Sequence, residues 1–346
     1  MKVGREGNSI CGIAGVVRWG KIPIQEDQVG MLLVDNEHRG NDASGLVIQQ
    51  ANGSLNVIKK DIPGWRLVTS DEYAKFIAEH LRPDSRSVLV HARGASQGNP
   101  RNNDNNHPMF AGVSAIIHNG VIRNDDALFQ TYKLERKAET DSDIIRAMVD
   151  KWGITKTTIQ NLSRATGSGA IAAVHPNYPD KLMLIRSGNP LTLASNENFF
   201  FFSSEKTTLH KACRPFIKRM GMWFQAQKPD VDFTNMANDS GWIIGLNGLE
   251  SHTECKICLG QYCEPWRKVY EEYETRQAKW NNRARGAVSP KAMKTAWCFD
   301  CKREWLIPEH ALYSQYTCDK DDAGCGKTLW APPETPQIFG AGVRLN

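Results

Sequence analysis

The stretch Cys11-Gly12-Ile13-Ala14-Gly15-Val16-Val17 decides the fold of this chain. It is an apolar run punctuated by glycine, and its length and composition predict a buried β-strand. A cysteine thiol stands directly before that strand, close to the start of the sequence. The sequence therefore predicts a core strand that begins immediately after a candidate nucleophile.

The composition is that of a globular chain with a weak charge imbalance. Its 346 residues exceed the usual size of one domain, which favours one large domain and a smaller one. Apolar residues make up 40% of the chain, and no run of about 18 apolar residues predicts a membrane span. The net charge of +5 does not require a polyanionic partner. Residues 1–10 lack the apolar segment of a secretory signal.

Hydrophobic periodicity predicts mixed strands and helices up to about residue 250. The predicted strands are 12–17, 45–49, 87–91, 113–118, 169–174, 181–186 and 199–204. The predicted helices are 25–37, 70–80 and 141–152, the last with Thr140 as its N-cap and Asp141 and Asp143 in its first turn. The strongly polar residues 101–106 predict an exposed loop. The predicted organisation is a short leading segment at 1–10, a large domain at 11–250 and a cysteine-rich module at 251–346.

Four further segments contain motifs, and they follow the first strand along the chain. They are HRGNDASG at 38–45, VHARGAS at 90–96 followed by NHP at 106–108, IHNGVI at 117–122, and ETDSD at 139–143. Together with residue 11 they resemble the class II glutamine amidotransferase domain of the N-terminal nucleophile hydrolase superfamily. The resemblance covers roughly residues 11–210. It implies an α+β fold, a four-layer αββα sandwich with two antiparallel sheets between helical layers.

The resemblance also implies a catalytic set. Cys11 would attack the side-chain amide of glutamine to form a thioester, with its own α-amino group as base once residues 1–10 are removed as a propeptide by autocatalytic processing. The side chain of Asn119 and the backbone N–H of Gly120 would stabilise the oxyanion of the tetrahedral intermediate. Taken alone, Asn119-Gly120 is also a common turn signal.

Free glutamine carries an α-carboxylate and an α-ammonium group, and the resemblance implies a residue for each. Arg93 suits the carboxylate because its guanidinium is a planar, bidentate cation. Asp141 suits the ammonium group. Ser96 and His107 match positions that line the same pocket. Taken alone, Arg93 is typical of a structural ion pair, and Asp141 of an ordinary first-turn residue of a helix.

Cysteine spacing predicts a zinc site near the end of the sequence. Seven of the nine cysteines lie between 255 and 325, and clustered pairs of this kind favour metal binding in the cytoplasm over disulfides. The zinc-ribbon-like spacing involves Cys298, Cys301, Cys318 and Cys325, which can supply four thiolates. A second set is less certain and consists of Cys255, Cys258 and Cys263, with His252. The alternatives for that set are pairing of Cys255 and Cys258 with one of the later cysteine couples, reduced buried thiols, or an iron–sulfur cluster.

The sequence leaves two functions open. One is a glutamine-hydrolysing enzyme that passes ammonia to an acceptor on a separate protein, docked by the zinc module. The other is a catalytically idle scaffold of amidotransferase fold that retains residues 1–10. Its tail would hold nucleic acid or protein, because residues 276–294 contain basic residues and no acidic ones. A solvated helix face followed by a basic linker explains the same stretch.

Overall fold

The computed structural model describes residues 11–213, 216–219, 222–225, 232–257, 293–297 and 304–308. For 216–219, 222–225, 293–297, 304–308 and position 232, only the backbone is described. The chain divides into two compact units, Met1–Arg267 and Lys268–Asn346. A strand of the first unit, Gly248–Glu254, crosses residue 250.

The strands of the first unit follow one another in this order. Strands β1 to β8 are Gly12–Arg18, Ala43–Gln49, Leu55–Lys60, Ser87–Arg93, Met109–Phe110, Ala115–Ile122, Gly167–Val174 and Leu182–Ser187. Strands β9 to β15 are Thr192–Ser195, Phe199–Ser203, Phe216–Arg219, Met222–Gln225, Asp232–Asn235, Ser240–Gly245 and Gly248–Glu254. All seven predicted strands are confirmed, with ends that differ by a few residues.

Helices alternate with these strands. Helices α1 to α7 are Glu26–Asp35, Gly64–Val68, Asp71–His80, Asp125–Tyr132, Asp143–Trp152, Lys156–Leu162 and Lys206–Ala212, and short 3-10 helices span Glu37–Arg39 and Asn103–Asn105. In the part of the chain that the structure describes, no helix has the length and apolarity that crossing a membrane requires. The three predicted helices correspond to α1, α3 and α5.

The strands form two large antiparallel sheets. One has the order β13-β9-β10-β1-β4-β2-β3, and the other has the order β15-β14-β8-β7-β6-β5. Strands β11 and β12 pair separately as a hairpin. The decisive strand β1 lies inside the seven-stranded sheet, where it pairs with β10 on one side and β4 on the other.

Strand β1 is buried along its whole length because both of its faces are covered. Ile13 and Val17 point into the core between the two sheets, whereas Ala14 and Val16 point into a core shared with α1, α2, α3 and α7. A third core lies between the six-stranded sheet and the helices α4, α5 and α6. The layers therefore run helix, sheet, sheet, helix, as the resemblance implies.

The start of α5 differs from the prediction. The helix begins at Asp143, and Ser142 rather than Thr140 occupies the cap position, without a side-chain cap hydrogen bond. Thr140 instead contacts the sulfur of Met109 at 3.7 Å. Asp141 therefore precedes the helix and is not a residue of its first turn. Its carboxylate accepts a hydrogen bond from the backbone N–H of Ile122, the last residue of β6.

The second unit contains one described element, an antiparallel hairpin. Strand β16, Met293–Trp297, pairs with strand β17, Glu304–Pro308, and Trp297 is opposite Glu304. The predicted zinc ligands Cys298 and Cys301 fall in the sequence between these strands, outside the described residues. Cys318 and Cys325 also lie outside them.

The packing between the sheets generates the first prediction. Gly15 has no side chain, and a Cβ built there would lie 2.5 Å from the ring of Phe202, which is fully buried between the sheets. We expect Phe202→Ala to lower the free energy of unfolding by about 3–5 kcal/mol, since the cavity cannot be filled by neighbours on rigid strands. Denaturant unfolding at an unchanged m-value measures this loss.

The matched control is Ile22→Ala, whose side chain is 50% exposed. That variant should change the free energy of unfolding by no more than about 0.5 kcal/mol. An equal effect of the two substitutions would contradict the described packing.

Candidate active site

Antiparallel pairing brings the ends of several strands to one end of the seven-stranded sheet. Gly12, the first residue of β1, pairs with Ala92 near the end of β4, so Cys11 and Arg93 lie at the same sheet end. On the other side, β1 pairs with the end of β10. Ser204 follows β10, and its hydroxyl accepts a hydrogen bond from the backbone N–H of Ile13 at 3.2 Å.

Cys11 is partly exposed at the surface, and its thiol lies among the charges of Arg93, Asp141 and Arg39. It lies 3.5 Å from the carbonyl oxygen of Gly94, to which it donates a hydrogen bond. Burial raises the pKa of the thiol to about 11, although a hydrogen bond from the backbone of Gly94 to the sulfur and the positive charge of Arg93 act in the opposite direction. Within the described residues, no imidazole or carboxylate is hydrogen-bonded to the thiol. The thiol is therefore protonated at neutral pH and lacks a side-chain base.

The backbone of Cys11 is held by the HRG segment. The Nε of Arg39 donates a hydrogen bond to the carbonyl oxygen of Cys11 at 2.9 Å. Glu205, just after β10, pairs with the Nη1 of the same guanidinium. Arg39 therefore orients the peptide that follows the nucleophile, and it does so from the 3-10 helix Glu37–Arg39.

Arg93 is a buried cation whose side chain is bonded to neutral oxygens. Its Nη1 donates to Oδ1 of Asn106 at 2.7 Å, and its Nη2 donates to the carbonyls of Gln97 and of Gly98, the latter at 3.1 Å. The residue is 3% exposed, and burial lowers the pKa of its guanidinium. In the segments that the structure describes, no carboxylate forms a salt bridge with it. Arg93 therefore retains the capacity to bind an anion.

The loop that binds Arg93 differs from its prediction as an exposed segment. Asn105 and Asn106 are fully buried, whereas residues 101–104 are exposed. Asn106 donates to the carbonyl of Pro100 at 2.7 Å, and Asn105 donates to the carboxylate of Glu139 at 2.7 Å. Sequence reasoning missed the burial of both asparagines because a run of polar residues is typical of solvent-exposed loops. The loop is in fact folded around its own amide groups.

The predicted oxyanion hole lies on β6 of the facing sheet. Asn119 is 2% exposed, and its Nδ2 is 3.4 Å from the Ser204 hydroxyl, the same group that bonds β1. This weak contact leaves the amide able to donate to a ligand. Gly120 approaches its partner strand so closely that a Cβ would lie 2.1 Å from the carbonyl oxygen of Ser168. The Ser204 hydroxyl thus links Asn119 to β1, the strand that follows Cys11.

Asp141 lies within electrostatic reach of the thiol and of Arg93. One carboxylate oxygen accepts the backbone N–H of Ile122 at 2.6 Å, which fixes the acid beside β6. The side chain is 7% exposed. A buried carboxylate is suited to pair with an ammonium ligand.

The other two predicted substrate residues are less directly placed. His107 is buried and stacks on His91 with ring centroids 4.1 Å apart, and burial holds the pKa of His107 well below its usual range. Its ring nitrogens have no hydrogen-bond partner among the described residues. Ser96 is exposed on the loop after β4. The pocket-lining role of both residues stays a prediction.

Of the predicted metal ligands, Cys255 is described. It is fully buried, and its thiol contacts the carbonyl of Ile159 at 3.4 Å in the core beside α6. His252 packs edge-on against Trp242. Among the described residues no group of three or more metal-ligating side chains occurs. Cys258 and Cys263 lie outside those residues, so this second site stays a prediction.

Comparison with known proteins gives the same family. A family model described as a glutamine amidotransferase domain matches residues 96–211. The glutamine–fructose-6-phosphate aminotransferase (isomerizing) of Chlorobaculum tepidum is 28% identical over 208 residues, which are 57% of this chain and 32% of that protein. The chain contains a class II glutamine amidotransferase domain.

Other similarities extend over more of the chain. The aminotransferase of the same name from Agrobacterium fabrum is 27% identical over 256 residues, 72% of this chain and 39% of that protein. The chain thus spans about a third of the length of the curated relatives it matches. A solved structure described as the allosteric regulatory enzyme of purine biosynthesis has the same fold, with a TM-score of 0.53 and 15% identity over 72% of this chain and 50% of that one.

The raised pKa of Cys11 generates a pH prediction for the amidotransferase domain. In protein whose intact mass includes residues 1–10, alkylation of Cys11 by iodoacetamide should be slow at pH 8 and rise towards a midpoint of about 11. Peptide mass spectrometry after timed labelling measures the rate at this one cysteine. The urea-unfolded chain is the control, with an expected midpoint near 9.0. Equal midpoints in the two states would show that the thiol is not buried as described.

Proposed function

We propose that this chain hydrolyses L-glutamine to glutamate and ammonia through a thioester on Cys11. The observation that carries the proposal is the buried guanidinium of Arg93, whose hydrogen-bond partners are all neutral oxygens. A buried cation of this kind costs several kcal/mol of folding free energy unless an anion pairs with it. The α-carboxylate of glutamine is the anion that places the side-chain amide towards the thiol, with the α-ammonium group at Asp141.

The chemistry follows from the groups around the thiol. The Cys11 sulfur attacks the amide carbon of glutamine, and the negative charge moves to the amide oxygen. Asn119 Nδ2 and the Gly120 N–H then donate hydrogen bonds to that oxygen, each worth about 3–4 kcal/mol in comparable sites. Collapse of the intermediate breaks the C–N bond and releases ammonia, which takes up the proton removed from the thiol. Water next attacks the thioester, releasing glutamate and restoring the thiol.

A proton acceptor for the thiol must come from the chain itself. With residue 10 attached, the nitrogen of Cys11 is an amide and cannot act as a base. We therefore propose that the bond between Ile10 and Cys11 is cut, autocatalytically, so that the free amine accepts the thiol proton. The support is that the described residues place no other base on the thiol and that its pKa is about 11.

We propose that the ammonia is used at an acceptor site on a separate protein. The support is compositional. Residues 251–346 are rich in cysteine, and residues 276–294 are basic without an acidic residue. Such a segment suits a docking module for a synthase, and contact with nucleic acid is the other partner that this charge pattern fits. The compartment we propose is the cytoplasm, where cysteine clusters remain reduced.

The zinc module is part of the same proposal. Paired strands β16 and β17 flank the sequence that contains Cys298 and Cys301, and a turn between paired strands is a common source of two zinc thiolates. Cys318 and Cys325 would supply the other two. When bound, zinc would fix these residues into a small module that lacks a large core.

Metal analysis tests this module directly. Purified protein should contain about one zinc per chain by plasma mass spectrometry, because four thiolates saturate a structural zinc. The double variant Cys298→Ser/Cys301→Ser should lose it, whereas Cys213→Ser is a matched control that should keep it. Full zinc content in the double variant would contradict the assignment of these ligands.

A single experiment tests the enzymatic function against the scaffold alternative. A chain that starts at Cys11 should release glutamate and free ammonia from L-glutamine and should be labelled at Cys11 by a diazoketone analogue of glutamine. Cys11→Ala in the same chain is the control and should lose both signals. Activity of the chain alone should be slow and should rise with the acceptor protein.

The alternative is an idle scaffold that retains residues 1–10. Intact mass of the full chain separates the two functions, since cleavage is expected in the wild type and retention in Cys11→Ala. If the Cys11-start chain is folded but neither turns over glutamine nor reacts with the analogue, the scaffold function is correct. Formation of an aminated product by the isolated chain would overturn the separate acceptor.

A further inference from the structure

We propose that Lys59 is a positioning residue for Arg93, and that its charge tunes the affinity of the site for the substrate carboxylate. The inference rests on the proposed function, because it concerns the same carboxylate. Lys59 lies on β3, the edge strand of the seven-stranded sheet, far along the chain from Arg93. None of the sequence motifs includes it.

The connection runs through the buried loop. The Nζ of Lys59 donates a hydrogen bond to the carbonyl oxygen of Asn106 at 2.9 Å, and the side chain of Asn106 accepts Nη1 of Arg93 at 2.7 Å. The loop is bonded back to the same strand, since Nδ2 of Asn103 donates to the carbonyl oxygen of Lys59 at 2.8 Å. Two bonds therefore fix the loop on β3, and the loop in turn fixes the guanidinium.

The charges around Lys59 are well defined. It faces Asp104 on the 3-10 helix, Arg93 on β4, Asp143 at the start of α5 and the buried, neutral ring of His107. Burial lowers the pKa of Lys59 to about 8; Asp104 and Asp143 oppose this, whereas Arg93 adds to it. Lys59 also lines an open cavity of about 390 Å³, so its proton can exchange with solvent; the mutually paired Lys60 and Glu72 line the same cavity.

Proton binding at Lys59 is therefore linked to carboxylate binding at Arg93. Lys59 and Arg93 repel each other in the empty site. A carboxylate bound at Arg93 offsets that repulsion, so the bound state holds the Lys59 proton more tightly. By reciprocity, the carboxylate binds more tightly when Lys59 is protonated. The KM for glutamine should therefore rise as the pH increases through about 8, where Lys59 loses its charge.

The test compares three variants of the Cys11-start chain across pH 6.5 to 9.5. Lys59→Met removes the donor and the charge, Lys59→Arg keeps a charge that does not titrate, and Lys60→Met is the matched control. Lys60 is the neighbour on β3 and pairs with Glu72 at 2.8 Å, on the other face of the strand. Because the ionisation of glutamine is common to all four proteins, the ratio of each KM to that of Lys59→Arg isolates Lys59.

We expect Lys59→Met to raise KM at least about tenfold at pH 7, the effect of one hydrogen bond to a charged group, with a smaller change in kcat. The ratio of wild-type KM to Lys59→Arg KM should rise above pH 8, and Lys60→Met should follow the wild type. A flat wild-type ratio, or equal KM values for Lys59→Met and Lys60→Met, would overturn the inference. If Lys59→Met does not fold, the pH profiles of KM for the wild type and Lys59→Arg are sufficient to test the inference.

Failure of the proposed function is distinguishable from failure of this inference. Calorimetric binding of L-glutamine is measured in the Cys11→Ala background, which needs no turnover. Weaker binding in Cys11→Ala/Lys59→Met than in Cys11→Ala/Lys60→Met supports the positioning role even if hydrolysis is absent. Equal binding, or no binding of L-glutamine in Cys11→Ala itself, overturns it.

Discussion

The insertion of β1 between β10 and β4 is the constraint on which the site depends. Antiparallel pairing requires the start of β1 to lie beside the ends of both neighbours. Cys11, Arg93 and Ser204 consequently share one sheet end, although they are far apart in sequence. Backbone hydrogen bonds inside a buried sheet set this arrangement of Cys11 and Arg93. The second sheet then needs only to present Asn119 and Gly120 across the gap.

Arg93 shows how the fold prepares for an anion without supplying one. Hydrogen bonds from a cation to neutral oxygens contribute about 1.5–3 kcal/mol each, which offsets part of the cost of burying the guanidinium. A protein carboxylate in the same place would offset more, and it would also compete with a ligand. Asn106 provides the geometry of a carboxylate without its charge. The loop thus orients the cation and leaves its electrostatic attraction available.

The sequence predicted the strands well because strands buried on both faces are continuous apolar runs. The predicted residues Cys11 and Arg93 do lie at one sheet end, whereas the roles assigned to the site residues stay predictions. The sequence did not predict the burial of Asn105 and Asn106, because polarity indicates exposure unless partners are known. Those partners come from distant elements, such as Lys59 on β3 and Glu139 before α5. The predicted N-cap of α5 was wrong for a similar reason. The carboxylate of Asp141 accepts a hydrogen bond from strand β6 and does not belong to the first turn of the helix.

The same burial that strengthens Arg93 weakens Cys11 as a nucleophile. A low local dielectric increases the attraction between the guanidinium and an anion, and it also penalises the thiolate, whose pKa of about 11 shows that burial outweighs the nearby cations. A charged base placed near the thiol would carry its own desolvation cost and would disturb the substrate charges. A neutral amine attached to the nucleophile avoids both problems, because an α-amino group has a pKa of about 7.7–8.0 and is already within reach. The electrostatic design of the pocket is therefore consistent with a base that is created by cleaving the chain before Cys11.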